Sequence, residues 1–116
     1  MPLPEFAQLL KEAKAQVKEI GPAELKKMQE SGEDVTVIDV REPDEQAAGM
    51  IPGATPVARG ILERDIDKVT ADKSRTLVLY CGGGGRSALA AVNLKKMGFE
   101  NVISLAGGYK GWRESQ

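Results

Sequence analysis

The run Thr76-Leu77-Val78-Leu79-Tyr80 is apolar without a break, and it narrows the possible folds more than anything else in the chain. Successive side chains of a strand point to opposite faces, so a strand of this composition needs apolar cover above and below. Helical patterns flank it and can supply that cover. Strand-like segments at Val17–Ile20, Val35–Val40 and Val102–Leu105 alternate with helical spacing over Pro22–Glu30, Ile61–Val69 and Ala88–Met97. Thr55-Pro56-Val57 adds a short edge strand, Asp44 to Ala48 allows one or two helical turns, and Tyr109 and Trp112 fall on a short final helix. The pattern predicts an α/β domain with a central, mostly parallel five-stranded sheet and helices on both faces. Ligands of such sheets collect at the carboxyl ends of the strands.

A further helix precedes this unit. Phe6, Leu9, Leu10, Ala13 and Val17 recur at helical spacing after an early proline, which a first turn tolerates. The expectation is an amphipathic N-terminal extension over residues 1–16 that folds onto a domain of residues 17–116. A partner or dimer surface is the alternative, so monomer and homodimer both stay open. At 116 residues a single core is expected.

Two counts exclude whole classes of chemistry: the chain has no His and one Cys. Without imidazole there is no Ser-His-Asp triad, Cys-His pair or histidine metal cluster. A solitary Cys81 can neither close an intramolecular disulfide nor anchor a structural zinc site, so no metal and no cofactor are expected. Sixteen basic against seventeen acidic residues leave a net charge of −1, which gives no bulk field for nucleic acid or an anionic membrane. No apolar stretch approaches the ~18 residues of a membrane span. The N-terminus lacks a basic start followed by an apolar run, and a reducing, cytoplasmic setting is the expectation.

The chemistry concentrates in Cys81-Gly82-Gly83-Gly84-Gly85-Arg86-Ser87, after the apolar strand and before a helix. Four consecutive glycines lose conformational entropy on folding and offer no packing, so they mark a backbone curled tightly with its N–H groups turned to a common centre. The positive end of a helix beginning near Arg86 and the Arg86 guanidinium add to that field. The anion at the centre is read as the Cys81 sulfur, or whatever is attached to it. A free thiol ionises near ~8.5, and a helix N-terminus with a neighbouring cation lowers this to roughly 3.5–7.5, so thiolate forms without a base. An ionised thiol can attack a sulfane S–S bond, and a ring of N–H donors can hold the persulfide that results.

At these residues the chain resembles the rhodanese family of sulfurtransferases in its single-domain form. The resemblance rests on Asp39-Val40-Arg41-Glu42-Pro43-Asp44-Glu45, Gly49-Met50-Ile51-Pro52-Gly53-Ala54, Cys81 to Ser87, and Leu105-Ala106-Gly107-Gly108-Tyr109-Lys110-Gly111-Trp112. It implies a parallel-sheet α/β fold and an enzyme of the thiosulfate sulfurtransferase type. Cys81 would be the nucleophile, and Gly82, Gly83, Gly84, Gly85, Arg86 and Ser87 would bind substrate. Sulfur would pass from thiosulfate or a persulfide, through a Cys81 persulfide, to cyanide or a thiol; donor and acceptor are expected to be small molecules, with a protein donor or acceptor as the alternative. Arg59 looks like a basic residue that some relatives place at the pocket mouth. Asp39 and Arg41 are expected to brace the sheet edge around the loop. Two positions depart from the pattern: Met50 stands where many relatives have His, and Gly82 where many have a charged or polar residue. The first touches packing. The second bears on substrate, since fewer cations in the loop leave room for a persulfide or protein donor over the thiosulfate dianion.

Rival readings are separable. A nucleotide phosphate loop would need a Gly-Lys-Ser/Thr ending or a completed G-x-G-x-x-G, and Ser87 closes neither. A phosphatase resembling the Cys-x5-Arg enzymes would need five residues between Cys81 and Arg86, where this chain has four. It would also need an acid for the leaving group. A non-catalytic regulatory module of the same fold often loses the nucleophile, which is intact here.

Overall fold

The computed structural model describes residues 2–116, in the order α1 (Pro4–Gln16), β1 (Lys18–Ile20), α2 (Pro22–Glu30), β2 (Val35–Asp39), α3 (Pro43–Ala47), β3 (Thr55–Pro56), α4 (Leu62–Asp65), β4 (Thr76–Tyr80), α5 (Gly85–Lys96), β5 (Asn101–Leu105) and α6 (Gly108–Glu114). The five strands form one sheet in the order β1-β5-β4-β2-β3, and every pairing is parallel. The apolar run that fixed the fold class is the central strand β4, with no exposed residue from Leu77 to Tyr80.

Strand periodicity divides the core. Leu77 and Leu79 of β4, with Ile38 of β2 and Val102 of β5, pack beneath α1, α4 and α5. Val78 and Tyr80, with Val37, Ile103 and Leu105, pack beneath α2 and α6 through Leu25 and Trp112. The face toward α5 is met by Ala88, Ala90, Ala91 and Leu94; three of these four are alanines, which let the helix lie close to the strands. Cys81 follows the same alternation as Leu77 and Leu79, so its side chain turns toward α5. The register pairs Asp39 with Tyr80, and the Val40 amide donates to the Tyr80 carbonyl over 2.9 Å. Both segments therefore leave the sheet side by side, at the carboxyl edge.

Two helical expectations change. The Ile61–Val69 pattern is not one helix but a 3₁₀ turn at Arg59–Ile61, the single turn α4, and a second 3₁₀ turn at Ile66–Lys68. Its start is tethered to the sheet by the Arg59 amide on the Val40 carbonyl. Leu62 and Ile66 are buried while Ile61 stays 39% exposed, so the segment anchors by two side chains, and so short a piece does not propagate a helix. The helix read from Ala88 begins earlier, at Gly85, and takes Arg86 and Ser87 into its first turn. None of the described helices is long and apolar enough to cross a membrane.

Candidate active site around Cys81

The loop between β4 and α5 is shaped from outside as much as from within. The first amides of α6 hold it: Tyr109 N–H donates to the Cys81 carbonyl over 2.7 Å and Lys110 N–H to the Gly82 carbonyl over 3.1 Å. With those oxygens turned outward, the amides that follow are free to face inward. Gly108 makes the approach possible. Its φ is +56°, and a Cβ there would lie 2.7 Å from both C and O of Gly82 and inside contact with the Cys81 oxygen. Gly84 takes φ +103° as the residue that turns the chain into α5, with the Gly107 amide against the place a Cβ would occupy.

The result is a sulfur ringed by donors. Gly84 N–H reaches Cys81 Sγ at 3.0 Å, and the Ser87 hydroxyl lies 3.6 Å from it. Ser87 Oγ is itself 2.8 Å from Ser104 Oγ and 3.3 Å from the Gly84 carbonyl. Burial pushes the Cys81 thiol up, but the amide and hydroxyl of Ser87 and the amides of Gly84 and Gly83 outweigh it, leaving the pKa below that of an ordinary thiol. The residue is only 1% exposed, so its sulfur is nearly closed off from solvent.

The charges around the loop are paired. Arg86 places Nη1 3.0 Å and Nη2 3.3 Å from the two carboxylate oxygens of Glu45. Its guanidinium also lies against Gly82, 3.3 Å from where a Cβ would stand. The hydrogen bond to Glu45 is the main reason the Arg86 pKa is raised, with the Cys81 sulfur a smaller one. The same bond holds the Glu45 carboxyl below its usual range, helped by the Glu42 amide in the capping box of α3. At this edge Arg41 Nη2 lies 2.8 Å from Asp39 Oδ2, both residues are buried, and the guanidinium also donates to the Gly49 carbonyl. It stacks 4.2 Å from the Tyr109 ring centre, tying α6 to the motif after β2. Beneath it, burial and then Asp39 push the Tyr80 hydroxyl well above its usual range, so it stays protonated while accepting the Ile51 amide at 3.0 Å.

A cleft of about 490 Å³ opens beside the loop, walled by Arg41, Glu45, Gly82 and one side of α6. Of the residues singled out in the sequence, the structure gathers Cys81, Gly83, Gly84, Arg86 and Ser87 at the sulfur, with Asp39 and Arg41 behind them. Gly82 contributes its carbonyl to α6 and a bare wall to the cleft, and Gly85 is covered by Leu10 of α1, whose methyls come within 3.4 Å of a Cβ there. Arg59 is not brought to the loop. Its guanidinium is held by Glu63 at 2.8 Å and lines a separate groove between α1 and α5. Reading the sequence for site roles missed Glu45, Ser104 and Gly108. Ser104 carries the clearest signal, a lone hydroxyl within the apolar strand run Val102-Ile103-Ser104-Leu105.

Comparison with known proteins gives the family and the fold. The model of the rhodanese-like domain matches residues 21–115. A putative sulfurtransferase of Bacillus subtilis, YtwF, is 37% identical over 97 residues, covering 84% of this chain and 91% of its own. The probable adenylyltransferase/sulfurtransferase MoeZ of Mycobacterium tuberculosis is 37% identical over 93 residues, and the chain spans only 24% of that longer protein's length. Among solved structures, a protein of unknown function from Rhodopseudomonas palustris, described as a possible tyrosine phosphatase, superposes with a TM-score of 0.86 at 33% identity, over 99% of this chain and 96% of its own. With a cysteine-headed loop between a parallel strand and helix, and a family match over residues 21–115 that takes in β2 to β5, the chain belongs to the rhodanese-like domain family.

Proposed function

We propose that this chain is a sulfurtransferase that works by ping-pong. The Cys81 thiolate attacks the sulfane sulfur of thiosulfate or a persulfide, the donor's remaining group departs with the bonding pair, and the new Sγ–S bond holds the sulfur until a thiol or cyanide removes it. The observation that carries the reading is the convergence of Gly84 N–H and the Ser87 hydroxyl on Sγ in a chain with no imidazole. Such donors stabilise a thiolate before the reaction and a persulfide anion after it. The sulfurtransferase names of YtwF and MoeZ point the same way. A lone Cys stays a usable thiol in a reducing compartment, where donor and acceptor thiols are also abundant.

The test is intact mass after incubation with thiosulfate or a persulfide, followed by cyanide. Cys81 should gain the mass of one sulfur atom and lose it as thiocyanate forms, and a Cys81→Ser protein that still gained it would refute the assignment. The Rhodopseudomonas palustris neighbour motivates a phosphatase reading. Against it stand the four-residue gap between Cys81 and Arg86 and the engagement of Arg86 by Glu45, which leaves less of the guanidinium for a phosphoryl group. Turnover of an aryl phosphate without loading by any sulfur donor would favour the phosphatase.

A further inference from the structure

The loop that carries the sulfur's donors is clamped at two points, and the clamps come from opposite ends of the chain. At Cys81 and Gly82 the clamp is α6, through the Tyr109 and Lys110 amides. At Gly85, the first residue of α5, it is Leu10 of α1. A Cβ on Gly85 would have both Leu10 methyls at 3.4 Å and, chain neighbours and the helix's own backbone aside, no other atom of the described residues within 4 Å. Between the clamps, Gly83 is exposed, and a Cβ there would meet nothing. The φ of Gly85 lies outside the left-handed region, so no backbone strain calls for a glycine here, and the space its missing side chain leaves is filled by Leu10.

The first turn of α5 needs such a clamp. Its N-cap, Gly84, offers no side-chain hydrogen bond, and the amides left free at this end include the two that serve Sγ, those of Gly84 and Ser87. A turn entered through four glycines has little stiffness of its own, because glycine loses the most backbone entropy on ordering and brings no packing. The second clamp also lies outside residues 21–115, the stretch that matches the family. Within α1 only Ala13 is fully buried, and Leu9, next to Leu10, is 55% exposed beside the groove that holds Arg59.

We propose that Leu10 is a positioning residue for the Cys81 site: by seating its methyls on Gly85 it holds the first turn of α5 where the Gly84 and Ser87 donors converge on the sulfur. It acts through the loop backbone, so its loss loosens the donors while the Arg86–Glu45 pair stays available on the other side of the loop. The proposal rests on the sulfurtransferase reading only for its effect on sulfur loading, since the thiol itself reports on the contact without any sulfur donor.

The experiment is the pH dependence of iodoacetamide alkylation of Cys81, read by intact mass, with folding checked by circular dichroism. The proteins are wild type, Leu10→Ala, Leu10→Met, Leu9→Ala and the double variant Leu10→Ala/Gly85→Ala. Leu10→Ala should raise the midpoint by about half a unit, roughly threefold in the ionisation constant, and slow thiosulfate loading below the midpoint by a similar factor. Leu10→Met refills the contact, and the double variant returns a methyl from the Gly85 side; both should bring the midpoint back toward wild type. Leu9→Ala should leave it unmoved. An unmoved midpoint in folded Leu10→Ala, whatever stability it lost, would overturn the proposal and leave Leu10 a packing residue. A midpoint that falls would overturn it too, because Leu10 would then act by covering the sulfur. So would a rise that neither replacement reverses, or an equal rise in Leu9→Ala, which would trace the effect to α1 as a whole. If Leu10→Ala does not fold, Leu10→Val makes the smaller cut and is read in the same way. A wild type whose thiol responds to Leu10 as stated but takes sulfur from no donor would sink the sulfurtransferase reading and leave this role standing.

Discussion

The Tyr109 amide, second residue of α6, donates to the Cys81 carbonyl over 2.7 Å, so the helix that closes the chain holds the carbonyl of its only cysteine. This bond explains why the loop's amides can face inward. A peptide unit cannot aim its N–H and C=O at the same side, and an outward carbonyl on a buried residue needs a partner. Here α6 supplies two, one for Cys81 and one for Gly82.

The approach depends on Gly108 far more than on its neighbour. Gly108→Ala would drive a Cβ into the Cys81 and Gly82 backbone at a left-handed φ, and should destabilise the fold by about 3 kcal/mol while reducing sulfur loading sharply. Gly107→Ala meets only Gly111 Cα at 3.6 Å, so it carries the backbone strain alone, about 1 kcal/mol. Denaturant unfolding of both variants checks the contrast, and equal losses would contradict it.

Ser104 acts on the sulfur through Ser87. Its hydroxyl, 2.8 Å from Ser87 Oγ, can donate there and leave the Ser87 proton for Sγ rather than for the Gly84 carbonyl. Ser104→Ala should raise the pH midpoint of Cys81 alkylation and cost about 1 kcal/mol in stability, and Ser104→Thr should restore the midpoint. A Ser104→Ala protein that lost stability with no shift in the midpoint would leave Ser104 a packing residue.

Glu45 and Arg86 should show opposite effects on an anionic donor. Removing the carboxylate with Glu45→Gln frees the guanidinium beside Gly82, and thiosulfate loading should quicken several-fold. Arg86→Ala should slow it and raise the thiol pKa. Stopped loading kinetics at constant ionic strength measure both, and a slower Glu45→Gln protein would show that Glu45 is needed to hold Arg86 in place.

The lowered thiol pKa also has a sign in stability. Between the folded pKa and the higher pKa of an unfolded thiol, the unfolded chain binds more protons, so Cys81 adds stability as pH rises through that window and retains it above. The contribution is lost as pH falls through the folded value. Unfolding free energy compared for wild type and Cys81→Ser as pH rises toward the ordinary thiol value of ~8.5 should diverge in this direction, and a gap that closes with rising pH would reverse the account.

Much of this was legible in the residues. The run Thr76–Tyr80 required a covered sheet, and strand alternation carried on through Leu77 and Leu79 sets Cys81 under α5. The glycine run located the loop because it has no competing use. Arg59 misled because a basic residue carries no sign of which face it will take; Glu63, four residues on, claims it. Glu45 lies in a motif that gives it no role by itself, since a carboxylate 41 residues from Arg86 meets it only once β2 and β4 lie side by side. Gly108 was likewise hidden. Its need for a missing Cβ arises from a contact between distant segments rather than from its own turn.

The central claim is that main-chain and hydroxyl donors, with no imidazole, hold the Cys81 thiol below the pKa of an ordinary thiol in spite of its burial. It is tested most directly by the rate of iodoacetamide alkylation of Cys81 as a function of pH, read by mass on the intact protein. The account predicts a midpoint clearly below that of a free thiol, ~8.5, and a single titration step. A midpoint at or above that of a free thiol would contradict it, since burial would then have prevailed over the donors around the sulfur.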